Sequence, residues 1–233
     1  MKPGWEASVA LLITIDGPAG AGKTTVSRRL ARKLGYRYID TGALYRGIAL
    51  AAHKAGVGAE DDHALAELCR QMNLDFKFAG DDLRLMLDDE DVSHAIRTPE
   101  ITMMASAVSA RPVVRQYLLD IQRAFGAAKI AVFEGRDMGT VVFPDADIKF
   151  FLDADPGIRA NRRYEELKTK TGAHPSQNEV AQDMARRDKN DSTRKTAPLK
   201  PARDAIRIDS TPLTVDQVVD RMLAHISQVP IPP

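Results

Sequence analysis

The sequence predicts an α/β fold: a doubly wound parallel sheet flanked by helices, with a small antiparallel insert. Three observations predict it. Short apolar runs, each followed by a helical pattern, open and close the chain. The first run ends in a glycine-rich turn that leads straight into a helix. The alternation breaks once, in the middle, where two short strand-like runs face each other across a turn. Strand followed by helix is the grammar of parallel sheets, and the break marks an insertion.

Val9–Ile15 is mostly β-branched or Leu and reads as a buried parallel strand. Lys23–Leu34 reads as a helix with Val26, Leu30 and Leu34 on one face and Gly35 at its end. Tyr36–Ile39 is a second strand, and Ala43–Ala55 a second helix stopped by Gly56. Asp62–Met72 is a helix. Asp75–Phe78 and Leu83–Leu87 form a hairpin about Ala79–Asp82, and after an acidic turn, Asp88–Asp91, Val92 starts a third short strand. Helices begin at Thr98, with Pro99 first, and near Arg111, with Pro112 first, the latter stopping at Gly126. The insert spans residues 59–98. Beyond it, Ile130–Phe133, Ile148–Leu152 and Ala205–Ile208 are strands. Pro156–Lys170, a helix capped by Ser176 and running to Asp191, and Thr214–Ile226 are helices. Lys170–Gln177 is a polar connector and Val229–Pro233 a frayed end.

Totals limit what such a chain does. At 233 residues it has room for one α/β domain. The 33 basic and 32 acidic side chains leave a net charge of +1, so nothing global calls for nucleic acid or an anionic membrane. Cys69 is the only cysteine, which excludes an intramolecular disulfide and suits a cytoplasmic protein. It recurs with Leu65, Leu68 and Met72 at helical spacing, the mark of core packing. Val9–Ile15 is too short to span a bilayer, and no longer apolar run exists.

Gly17-Pro18-Ala19-Gly20-Ala21-Gly22-Lys23-Thr24 fits the pattern G-x-x-x-x-G-K-[ST], with a strand before it and a helix after it. A triphosphate packs several charges into a small volume. Backbone N–H groups in such a loop point inward as a nest around it. Glycines let the backbone approach, and the helix N-terminus adds partial positive charge. Lys23 reaches the terminal phosphates, and the Thr24 hydroxyl is a ligand for Mg²⁺.

A phosphate loop alone does not name a reaction. Arg159, Arg162 and Arg163 lie at i, i+3 and i+4, and Arg187, Asp191 and Arg194 share a face if their helix continues that far. Together they read as a helical lid over residues 156–194 that carries cations to phosphates. For Arg159 and Arg186 a solvated charged face is an equally simple reading. Asp40-Thr41-Gly42-Ala43-Leu44-Tyr45-Arg46 opens a helix on the crevice side of the sheet, where Thr41 and Arg46 suit a second phosphate. Glu134-Gly135-Arg136-Asp137 follows another strand on that edge; its carboxylates suit Mg²⁺ through water, and Arg136 suits a bridge between phosphates.

Gly17–Thr25, Asp40–Arg46, the run Gly135-Arg136-Asp137-Met138-Gly139-Thr140-Val141-Val142-Phe143-Pro144-Asp145-Ala146 and the stretch Asp188–Leu199 together resemble bacterial cytidylate kinases. The resemblance covers nearly the whole chain. It implies a P-loop nucleoside monophosphate kinase over residues 1–233, with the insert on the monophosphate side. The implied reaction is ATP-dependent phosphorylation of CMP and dCMP by a Mg²⁺-requiring monomer. ATP would lie on Gly17, Pro18, Ala19, Gly20, Ala21, Gly22, Lys23, Thr24, Thr25 and Arg162. Thr41, Arg46 and Arg136 would hold the CMP phosphate. Ser106, Arg115 and Asp137 would read the cytosine edge, and Arg187 and Asp191 the sugar. Arg194 would approach the transferred group, with Lys195 the alternative beside it. Lys23, Arg136, Arg187 and Arg194 are thus the catalytic candidates.

Two other readings stay in play. A different acceptor, such as UMP or shikimate, keeps the fold, but the Ser106, Arg115 and Asp137 set argues against one that is not a nucleotide. A nucleotide-dependent switch would carry the guanine-reading N-K-x-D, which Asn190-Asp191 does not supply.

Overall fold

The computed structural model describes residues 10–79, 82–171 and 176–229. Val9, residues 80–81 of the hairpin turn, 172–175 of the polar connector and 230–233 of the C-terminal end lie outside the described residues. The described chain divides into two compact units, one of Met1–Ile39, Gly126–Lys189 and Leu199–Pro233, the other of Asp40–Phe125 and Asn190–Pro198.

The first unit holds a five-stranded sheet in the order β2 (Arg37–Asp40), β6 (Ala131–Gly135), β1 (Leu12–Asp16), β7 (Ile148–Asp153), β8 (Ile206–Asp209). The pairs of β1 with β6, β1 with β7 and β7 with β8 are parallel. Every residue of β1 and β6 is buried, as a strand covered on both faces requires. Helix α1 (Lys23–Leu34) contributes Val26, Leu30 and Ala31 to the core, and α8 (Val215–Ile226) contributes Val218, Val219, Met222 and Ile226. Both join Ile13, Ile15, Val132, Phe150 and Leu152 of the sheet. Gly35 ends α1 in the left-handed region, as its glycine predicts. Thr214 opens α8 with a complete capping box to Gln217. From β1 the order leads to β6 and β2 on one side and to β7 and β8 on the other, so β1 marks the switch point where ligands collect.

The second unit contains α2 (Thr41–Lys54), α3 (Asp62–Gln71), α4 (Pro99–Val108) and α5 (Pro112–Gly126), the last of which ends at the unit boundary. Its three-stranded sheet runs β3 (Leu74–Ala79), β4 (Asp82–Leu87), β5 (Glu90–Asp91). β3 and β4 are antiparallel, pairing Leu74 with Leu87 and Phe76 with Leu85. Helix α2 passes so close to this sheet that a Cβ at Gly47 would meet Leu74 and Leu85 side-chain carbons at 2.8 and 2.9 Å. Thr98 caps α4 by accepting from Ile101 N–H, with Pro99 in the first helical position.

The structure moves several boundaries. The third short strand is Glu90–Asp91 rather than one starting at Val92, because Asp88 and Asp89 both take positive φ and turn the chain in two residues. Val92 is instead fully buried, its N–H bonded to the Leu85 carbonyl. Ile130 has φ of 48°, so β6 begins one residue later, at Ala131. Helix α7 (Gln177–Thr193) ends one residue before Arg194, whose N–H still bonds to the Asn190 carbonyl at 3.2 Å, so the helical ladder just reaches it. Cys69 is buried, and burial pushes its thiol up to about 11, as a packing residue requires. Among the described residues no helix is long and apolar enough to cross a membrane.

One buried carboxylate fixes the end of the central strand. Asp16 accepts from the N–H groups of Met138 at 2.9 Å and Gly139 at 2.8 Å. These open a π-helical turn, Met138–Val142, that periodicity did not suggest. Burial raises the Asp16 carboxyl from 3.8 to about 6, against the pull of those two donors. A raised acid keeps its proton longer in the folded chain than in the unfolded one. Stability is therefore lost as pH rises from about 4 to about 6, by about 3 kcal/mol from this group. Urea unfolding of the parent and of Asp16→Asn across that window should show the parent losing this amount relative to the variant. A constant difference would mean that Asp16 titrates at its ordinary value.

Candidate active site

The first unit builds an anion site on the loop between β1 and α1. The loop needs its glycines. A Cβ at Gly17 would lie 1.9 Å from the Leu152 carbonyl oxygen of β7, and Gly20 and Gly22 take φ of 72° and 90°. An inward-facing nest leaves carbonyl oxygens outside, and each of three is given a donor. Lys23 Nζ donates to the Pro18 oxygen at 2.7 Å, Arg159 Nη1 to the Ala19 oxygen at 3.0 Å, and Ser210 Oγ to the Ala21 oxygen at 3.1 Å. Arg162 holds Ser210 in turn, reaching its hydroxyl at 3.0 Å and its carbonyl at 2.9 Å. Arg163 makes a local pair with Glu166.

Lys23 is buried, and its ammonium is pushed down to about 7, first by burial and then by the positive charges of Arg136 and Arg187; Glu134 and Asp16 oppose the shift. The three cations named as catalytic candidates in this unit thus share one electrostatic neighbourhood. Thr24 Oγ1 donates to Glu134 Oε1 at 2.8 Å, across from the end of β6. A hydroxyl and a carboxylate side by side at a triphosphate loop are hard oxygen donors, the chemistry Mg²⁺ selects. Asp137 is almost fully buried, and its carbonyl accepts from the N–H groups of Val141 and Val142, which anchors the turn after Arg136. Thr25 is exposed on the first turn of α1.

The second unit gathers the remaining candidates. Asp40 precedes α2, and Thr41 is buried at its first position. Arg46, one and a half turns along, returns to Asp40 at 2.7 Å. Burial acts to raise Asp40, but Arg46 and Arg97 outweigh it and hold its carboxyl below the usual range. Arg115 on α5 is buried, lies 5.6 Å over the Tyr45 ring and donates to the Ser109 carbonyl at 3.1 Å. Arg194 donates through Nε to the Ala197 carbonyl at 2.7 Å and through Nη1 to the Ser109 hydroxyl at 3.3 Å. Asp191 is buried at the end of α7. Ser106 Oγ on α4 is buried and makes no hydrogen bond among the described residues, and neither does Arg46 Nε.

Sequence reasoning missed four contributors. Arg159 was as readily a surface charge, yet it is 7% exposed and bonded to the phosphate loop. Ser109 and Ser210 act through single hydroxyl and carbonyl groups that no spacing announces. Asp188 pairs with Arg159 at 2.5 Å. Only the i, i+4 rows of the two arginine-bearing helices hinted at any of this.

The model for the family described as cytidylate kinase matches residues 13–228. A relative from Syntrophotalea carbinolica named cytidylate kinase is 50% identical over 218 residues, covering 94% of this chain and 92% of its own. Another of that name, from Geobacter sulfurreducens, is 50% identical over 212 residues, 91% of each chain. Among solved structures, an uncharacterized protein from Eubacterium ventriosum superposes with a TM-score of 0.51 at 14% identity, over 94% of this chain and 99% of that one, a likeness of fold alone. A family match that begins in β1, takes in the phosphate loop and runs past α8, joined to half-identical relatives of full length, places this chain in the cytidylate kinase family.

Proposed function

We propose that the chain transfers the terminal phosphoryl group of ATP directly to CMP and dCMP. The observation that carries this reading is the buried Lys23 with Arg136 and Arg187 acting on it. Cations that repel one another are relieved when concentrated negative charge joins them, and phosphoryl transfer gains most from such neutralisation. Lys23, Arg136 and Arg187 hold the donor phosphates and the charge that spreads over the transferred group, and Arg194 or Lys195 adds to it. No covalent intermediate is needed. Thr24, with Glu134, offers oxygens to the Mg²⁺ that accompanies ATP, which supplies further charge neutralisation when bound.

On the acceptor side, Thr41, Arg46 and Arg136 hold the CMP phosphate, Arg187 and Asp191 the sugar, and Ser106, Arg115 and Asp137 the base. Cytosine presents an amino donor beside a ring-nitrogen and a carbonyl acceptor. The buried Ser106 hydroxyl and the Arg115 guanidinium suit that order, and uracil presents a different one. The whole chain acts as one monomeric cytoplasmic kinase domain, residues 59–98 forming the insert and 156–194 the lid. Charge balance gives no footing for nucleic acid.

Incubation with Mg-ATP and CMP, dCMP, UMP, AMP or shikimate, with ADP formation as readout, tests the reaction. CMP and dCMP should stimulate ADP release most, and ADP release no faster than with ATP alone would remove the reading. Asp137→Ala should lose discrimination between CMP and UMP by roughly tenfold or more while ATP affinity holds. A collapse of ATP affinity instead would assign Asp137 to the triphosphate site.

Lys23 gives a separate test. Free, its ammonium titrates at about 7; triphosphate charge beside it raises that value. Binding ATP at about pH 8 should therefore take up about one proton. Calorimetric titration in two buffers of different ionisation heat measures it, and Lys23→Arg should abolish the uptake. Equal heats in both buffers for the parent would show that Lys23 is already charged.

A further inference from the structure

Arg159 makes three hydrogen bonds, one of them to the phosphate loop. Its Nε donates to the Ala154 carbonyl at 3.0 Å, just before α6 (Pro156–Thr171). Its Nη1 donates both to the Ala19 carbonyl of the loop at 3.0 Å and to Asp188 Oδ2 of α7 at 2.5 Å. The arginine side chain is 8% exposed and that of Asp188 23%. The contact between loop and helices is close on a second count. A Cβ at Gly20 would meet the Arg159 carbonyl oxygen and Met184 Cε, each at 2.8 Å, so the loop passes against α6 and α7 with no room for a side chain. Arg187 immediately precedes Asp188 on α7 and acts electrostatically on Lys23.

We propose that Arg159 and Asp188 form a positioning pair for phosphoryl transfer, one guanidinium setting both the curvature of the phosphate loop at Ala19 and the placement of the α7 segment that carries Arg187. This rests on the reading that ATP phosphates occupy the loop. The geometry favours positioning over substrate contact, because Nε and Nη1 of Arg159 are bonded to two carbonyls and a carboxylate of the protein itself. The physical logic is that of a strut. A carbonyl of the nest left without its donor relaxes inward and spoils the N–H cradle. A carboxylate left without its arginine frees the end of α7. Because the same Nη1 serves both acceptors, the two effects are not separable by removing either partner.

A double-mutant cycle on the full chain tests this, with Arg159→Gln, Asp188→Asn and their combination, and Arg159→Lys as the conservative variant. Steady-state kcat and KM are measured separately for ATP and CMP, beside melting midpoint and far-ultraviolet circular dichroism. Each single change should lower kcat/KM for ATP roughly tenfold to hundredfold, with KM for CMP within about twofold, and the double variant should lose no more than the worse single one. Arg159→Lys, which keeps a charge but not the fork, should fall between parent and Arg159→Gln. Equal loss toward both substrates in step with the melting midpoint would make the pair structural only, and losses that multiply in the double variant would uncouple the two residues; either overturns the proposal. If Arg159→Gln does not fold, Arg159→Lys with Asp188→Asn completes the same cycle. A parent that turns over no CMP defeats the functional reading instead, and active parent with unchanged variants defeats only the positioning pair.

Discussion

A backbone that points its N–H groups at an anion must turn its carbonyl oxygens away from it, and those oxygens still need donors. This constraint organises the first unit. Pro18, Ala19 and Ala21 present three such carbonyls, and the chain answers them from three directions: Lys23 from within the loop, Arg159 from α6 and Ser210 from the end of β8. Two of the donors are then held by further partners, Arg159 by Asp188 and Ser210 by Arg162. The elements that surround β1 in the sheet order therefore do more than bury apolar surface. They carry the groups that satisfy the carbonyls of the phosphate loop.

The same neighbourhood concentrates positive charge at a cost. Burial works against the Lys23 ammonium, and Arg136 and Arg187 add repulsion, while Asp16 is driven toward its neutral form by its own burial. The protein thus stores unfavourable electrostatics beside the phosphate loop. Asp16 serves the architecture at the same time, since its two bonds to Met138 and Gly139 hold the turn that follows Arg136 and Asp137. A single buried carboxylate links the strand before the phosphate loop to the segment that carries Arg136 and Asp137.

The parallel fold was legible because its signals are local: β-branched runs, a glycine-bounded helix at Lys23–Leu34, prolines opening α4 and α5. Boundaries failed where backbone conformation overrode residue preference. Asp88 and Asp89 turned in two residues, and Ile130, β-branched, took positive φ. The phosphate loop was legible to the residue because its chemistry requires fixed types at fixed spacing. Arg159 was not, because burial of an arginine depends on which distant carbonyls and carboxylates reach it. Ala19 lies 140 residues away and Asp188 29. Ser106 is the opposite case: helical spacing shows only a polar residue, and its interest emerges once it is seen to be buried with no hydrogen bond among the described residues.

The carbonyls of the phosphate loop and the Ser106 hydroxyl of α4 are treated differently, and that difference bears on specificity. In the first unit the loop carbonyls are satisfied by the protein itself, which suits a group recognised by charge alone, since every triphosphate presents the same oxygens. In the second, Ser106 Oγ and Arg46 Nε are buried and make no hydrogen bond among the described residues. A buried hydroxyl without a partner costs about 1–3 kcal/mol, and a ligand with a matching group recovers it while a mismatched one does not. Preorganisation by satisfied bonds gives affinity for a class, and polar atoms held in reserve give choice within it. The tethers on Arg115 and Arg194, both anchored at Ser109, fit this division: they fix the orientation of two guanidinium groups without using the Ser106 hydroxyl.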